Sequence, residues 1–213
     1  MSEAGGITAR TAIVFLLATW PRRVLASLLL LVPVVVAAAG GFRPADPPPR
    51  GVEPEVVTDT GAYLVVPRYY FVSDQVDAYG LDDGERWVGA VVQITNQGTE
   101  PISVSFSDET FELPEAVPND GSVNPHEVLR LDTGGSVGEA QPGLTYEVAL
   151  LWSTTGMQDP PPELTFTMNR TAWTEWSIEA GYSTWRSTGD SYDVILPLGD
   201  VPATILEEEA EEA

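Results

Sequence analysis

The chain has 213 residues, enough for one domain with its own core, and contains no cysteine. That composition excludes disulfides, thiolate zinc sites, a cysteine nucleophile and a lipobox-type lipid anchor. Past Gly41, 31 acidic residues stand against 7 arginines, a formal charge of −24, and such a surface repels nucleic acid and anionic headgroups.

The N-terminal segment, residues 1–23, includes an apolar run from Thr11 to Trp20 that is too short to span a bilayer and suits the interface. Val24 to Gly41 follows, 18 residues without a charge, with Arg22 and Arg23 before it. As a helix it measures roughly 27 Å, close to the hydrocarbon thickness, and Pro33 is tolerated there as a kink. Arg10, Arg22 and Arg23 precede the span while Arg43 and Arg50 follow it, which favours a cytoplasmic N-terminus. Ala37-Ala38-Ala39 keeps a rival open, because small residues after an apolar core also suit signal cleavage. The expectation is a retained single-pass anchor at the cell membrane, holding the C-terminal part outside the cytoplasm.

Residues 42–61 read as a linker, with Pro44, Pro47, Pro48, Pro49 and Pro54 favouring extended polyproline II. Residues 62–200 then alternate with a period of two. Val88, Ala90, Val92 and Ile94 make one stripe; Leu144, Tyr146, Val148, Leu150 and Trp152 make another; Leu164, Phe166 and Met168 a third. Breakers such as Asn96-Gln97-Gly98, Gln141-Pro142-Gly143 and Asp159 to Pro162 separate the runs. Strands are expected at 62–73, 87–96, 101–107, 110–113, 127–131, 144–153, 163–177 and 191–198, an all-β antiparallel sandwich behind one transmembrane helix. Residues 201–213, with five glutamates in the last seven, read as an acidic disordered tail.

Trp87 to Ile102, running WVGAVVQITNQGTEPI, resembles the V-V-x-V-x-N-x-G-x-x-P hairpin of bacterial Ig-like extracytoplasmic domains. Gln141-Pro142-Gly143 and the strand ending at Trp152 are similar to a later strand of the same domains. The resemblance implies an Ig-like β-sandwich, membrane-anchored and of unknown function, and it brings no catalytic residues with it.

Chemistry is sparse. His126, the one histidine, sits in a turn, and no G-x-S-x-G or phosphate-binding glycine motif occurs. Asp74, Asp77, Asp82, Asp83 and Glu85 crowd one segment and make a weak calcium candidate, without EF-hand spacing. Trp173, Trp176, Tyr182, Trp185 and Tyr192 fall close together, with Arg186 as a polar neighbour; some of these rings are expected in the core and others on a recognition surface. The expected role is a non-catalytic, cofactor-free module that binds another envelope or membrane protein. A carbohydrate or cell-wall module and a calcium-dependent adhesion domain are the alternatives.

Overall fold

The computed structural model describes residues 47–78, 81–104, 110–114, 124–175 and 184–206, with Leu31. Chain contacts divide the protein into Met1–Ala45 and Asp46–Ala213, and every strand belongs to the second unit. The expected membrane span, apart from Leu31, and the Glu-rich end fall outside the described residues. Among those residues no helix is long and apolar enough to cross a membrane.

Eleven strands follow in chain order among the described residues: β1 Arg50–Val52, β2 Thr58–Asp59, β3 Tyr63–Ser73, β4 Arg86–Asn96, β5 Ile102–Ser103, β6 Phe111–Glu112, β7 Glu127–Arg130, β8 Glu139–Ala140, β9 Thr145–Thr154, β10 Glu163–Thr174 and β11 Thr184–Pro197. One antiparallel sheet has the order β2-β3-β4-β9-β7, another the order β1-β11-β10-β6, and β5 pairs with β8 apart from both. The domain is an all-β sandwich. Between the two large sheets lie Val65, Val92, Leu150 and Trp152 from one side and Phe166, Met168 and Val194 from the other, as the period-two pattern requires. Phe111 on edge strand β6 stacks on Phe166, ring centres 5.7 Å apart.

Two boundaries differ from expectation. The linker does not extend to Gly61, because Arg50–Val52 joins the four-stranded sheet and Thr58–Asp59 the five-stranded one. β1 pairs in parallel with β11, an exception to the antiparallel pattern. The tail, expected to begin at 201, is ordered through Leu206. Residues 198–206 form a strap across the outer face of the five-stranded sheet. The Gly199 N–H donates to the Tyr70 carbonyl at 2.7 Å, the Thr204 hydroxyl to the Leu131 carbonyl at 2.8 Å, and the Asp77 N–H to the Ile205 carbonyl at 2.9 Å. Ile205, 1% exposed, seals a second core with Phe71, Trp87, Val91, Leu129 and Leu151. Gly89 makes room for the Phe71 ring, since a Cβ there would sit 2.1 Å from it.

Asn96 ties one end of the sandwich together. Its amide nitrogen donates to the carbonyls of Glu100 and Ala140, both at 2.8 Å, and its side-chain oxygen accepts from the Gly98 N–H at 2.7 Å. Its backbone carbonyl accepts from the Gly143 N–H at 2.9 Å. The Asn-x-Gly and Pro-Gly signals of the sequence therefore meet at one residue. At the same end, Gly61 adopts φ +92°, and a Cβ on it would sit 1.9 Å from the Thr171 carbonyl oxygen. The Thr171 N–H donates to the Thr60 carbonyl at 2.8 Å, fastening the β2–β3 turn to β10 in the opposite sheet.

Asn96→Ala strands buried donors and acceptors, and urea unfolding is expected to show a loss of about 2–3 kcal/mol at unchanged m. Ile205→Ala is expected to cost about 3 kcal/mol, whereas Ile195→Ala, half exposed on the other sheet, changes stability by less than about 0.5 kcal/mol. Equal losses at the two isoleucines would contradict the strap's place in the second core.

Candidate functional site: an aromatic hairpin arm

β10 and β11 form the longest hairpin of the domain, and an irregularity divides it. Asn169 faces Ser191, yet Thr171 faces Ser187, so one extra residue on β10 and three on β11 lie between the two pairs. Two bonds hold this bulge: the Thr188 hydroxyl donates to the Arg170 carbonyl at 3.2 Å, and Arg170 pairs with Asp190 at 3.7 Å. A bulge shifts the parity of the strand beyond it. Leu164, Phe166 and Met168 point into the sandwich below the bulge; above it the inward set becomes Thr171 and Trp173 on β10, with Trp185 on β11.

Trp173 and Trp185 are direct cross-strand partners, their rings meeting edge-to-face at 5.6 Å and 65°. Their environments differ. Trp185 packs against the main core, while Trp173 is 49% exposed. Tyr192 lies below the bulge, opposite Met168, and also packs on the core. Arg186 follows Trp185 in the strand and pairs with Ala172, so it occupies the other face of the arm rather than standing beside the two rings. Trp176 and Tyr182 lie outside the described residues. The structure thus brings Trp173 and Trp185 together, gives Tyr192 a packing role and places Arg186 on the face opposite those two rings.

The calcium candidate does not assemble. Among the described residues no three His, Cys, Asp or Glu side chains converge as a metal-holding group. Asp74, Asp77, Asp82 and Asp83 are exposed, because the apolar residues among them carry the packing: Val76 is buried in the second core and Leu81 leans on it. The 82–85 turn closes on itself, the Glu85 N–H donating to the Asp82 carbonyl at 3.0 Å and the Glu85 carboxylate accepting from the Asp82 N–H at 3.1 Å.

A serine–histidine contact escaped the sequence reading, since the residues lie 27 apart without a motif. The Ser153 hydroxyl and His126 Nδ1 are 3.1 Å apart, and the imidazole meets the Trp87 ring edge-on at 6.3 Å. Ser153 is 4% exposed within β9, paired with Trp87 of β4, so the contact is a buried one. The contact fastens the 124–126 turn to β9, as does the His126 N–H bond to the Leu151 carbonyl at 2.7 Å. Arg130 bonds Asp132 at 2.9 Å and holds its carboxyl below the ordinary carboxylate range, both side chains being exposed. Burial pushes the Tyr63 phenol above its ordinary range.

The fold class is therefore a β-sandwich, and the arm is its most distinctive exposed feature. No family model matches the chain, and no curated protein matches it. Among solved structures, an uncharacterised β-sandwich protein from Clostridium difficile 630 is similar at 12% identity and a TM-score of 0.42, over 72% of this chain and 97% of that one.

The unequal burial of the two rings gives a direct prediction. Trp185→Ala is expected to destabilise the domain by about 2 kcal/mol and Trp173→Ala by less than about 1 kcal/mol, read from thermal or urea unfolding. The reverse order would mean that Trp173 is the packing residue.

Proposed function

We propose that the protein is a non-catalytic, membrane-anchored, extracytoplasmic Ig-like module that binds another envelope or membrane protein through the arm end of its sandwich. The half-exposed Trp173 carries this reading. A large ring left half in water on the hairpin beyond the bulge is poorly explained by stability, and Trp is enriched where protein surfaces bind. Leu144, 54% exposed, lies at the same end, beside the Gly143–Asn96 contact. The anchor rests on the uncharged run from Val24 to Gly41, and the extracytoplasmic placement on the arginines ahead of it. The Ig-like character rests on the Asn-x-Gly and Pro-Gly signals that converge at Asn96.

A carbohydrate platform is the weaker reading, because sugar stacking calls for coplanar ring faces and these two rings meet at 65°. Cross-linking in intact membranes, followed by mass spectrometry, tests protein recognition. A specific cross-linked protein is expected with the wild-type chain and is expected to be lost with Trp173→Ala, whose fold is retained. An identical cross-link pattern for the two would overturn the arm as the contact. Protease added to intact protoplasts is expected to digest the chain beyond Gly41, and protection until lysis would overturn the topology.

A further inference from the structure

We infer that the outer edge of β2 is a docking site for an extended protein segment, which adds to the five-stranded sheet as a further strand and carries basic residues on either side of an apolar one. The site goes beyond the reading above: it lies in the other sheet from the arm and stands or falls without Trp173.

The edge is longer than β2 itself. From Glu55 to Thr60 the chain runs beside β3: the Glu55 N–H donates to the Pro67 carbonyl at 2.7 Å, Thr58 pairs with Val65, and the Thr60 N–H donates to the Tyr63 carbonyl at 2.9 Å. Backbone groups alternate in direction along an antiparallel strand. With Thr58 and Thr60 turned to β3, the N–H and C=O of Val57 and Asp59 face off the sheet. β2 ends the sheet order, and no strand lies beyond it among the described residues. Two other edges are guarded. At β7 the Val137 N–H donates to the Val128 carbonyl at 3.0 Å and the Arg130 N–H to the Gly135 carbonyl at 2.9 Å, so residues 135–137 cover that edge. β1 is preceded by Pro47, Pro48 and Pro49, which have no N–H to offer. From Glu55 to Thr60 there is neither a covering segment of this kind nor a proline.

The side chains favour the same ligand. Val56 and Val57 are 45% and 61% exposed, while Thr58 and Thr60 are buried. Continued register sets Val57 beside Val66, itself half-buried, so an apolar side chain of the added strand has both to rest on. Residues 53–60 carry Glu53, Glu55 and Asp59 with no basic residue. That charge selects the occupant. Antiparallel pairing with a second copy about Val57 sets Glu55 of each chain against Asp59 of the other, and like charges directly opposed are destabilising. Arg or Lys two positions to each side of an apolar residue makes both pairs attractive instead. Glu55 also holds φ +63°, a conformation that glycine takes without steric cost. A charged side chain thus stands where the backbone alone favours glycine.

The probe is a fluorescein-labelled peptide, Thr-Arg-Thr-Val-Thr-Arg-Thr with blocked ends, compared with the same peptide carrying Glu in place of Arg. Both are titrated against the full chain in non-ionic detergent. The basic peptide is expected to bind at millimolar concentration or below by fluorescence anisotropy, to slow amide exchange at Val57 and Asp59, and to weaken with salt; the acidic one is expected not to bind. Val57→Pro is expected to abolish binding, since it removes an outward N–H without breaking a bond to β3. Should that variant fail to fold, Val57→Lys keeps the backbone and is expected to abolish binding by repulsion. Glu55→Gly is expected to weaken binding roughly twofold to fivefold while the melting temperature holds or rises, a split that a merely structural glutamate does not give. Trp173→Ala is expected to leave peptide binding unchanged, so the arm and this edge fail separately. Equal binding of the two peptides overturns the selection by charge. Binding that leaves exchange at Val57 and Asp59 unaltered, or that survives Val57→Lys, overturns β2 as its place. No binding at millimolar concentration overturns the site. A dimer of the full chain that Val57→Lys dissociates gives the edge to a second copy and overturns the proposed occupant.

Discussion

The five-stranded sheet must be covered on both faces, and much of the architecture follows from that constraint. β4 and β9 at its centre carry apolar side chains at odd and even positions alike: Val88, Ala90 and Val92 face the second sheet, while Trp87, Val91 and Leu151 face away from it. Left open, the outward face would give Phe71 and Trp87 back to water, roughly 150–250 Å² for each ring. The strap at 198–206 and the segment around Val76 close that face. Hydrogen bonds from Gly199, Thr204 and Asp77 hold the cover in place.

The sandwich was legible in the sequence because burial against a facing sheet imposes alternation. The stripes in β4, β9 and β10 predict strands within a few residues of those observed. The second core was less legible, although its signal was present. The runs Ala90-Val91-Val92 and Ala149-Leu150-Leu151-Trp152 break alternation, which is what two-sided burial looks like. β1, β2 and β8 were missed because two- or three-residue strands have no periodicity; their pairing is imposed by tertiary contact. Val201 and Ile205 were hidden by the glutamates that follow them in sequence.

The arm shows where reading by parity fails. Trp173 and Trp185 lie twelve residues apart, and nothing local in the sequence states that they pair. The bulge at Arg170 and residues 188–190 decides which face each ring takes. Without it, continued alternation from Met168 would place Ala172 and Thr174 inward and turn Trp173 outward. Arg186 lies on the face opposite Trp173 and Trp185 for the same reason, since its neighbour in the chain is Trp185. The division of the cluster into packing and exposed members was legible as a principle, while the assignment of Trp185 and Tyr192 to packing needed the pairing register.

The strap also orders events in time. It follows every strand in the chain, so vectorial synthesis delivers Ile205 after β11, and the pocket it fills stays open until then. β1 likewise waits for a partner more than 130 residues away. A nascent sandwich of this kind carries a greasy, unsealed wall for most of its production, and a helper that shields such a wall has its main work before the last strand is complete.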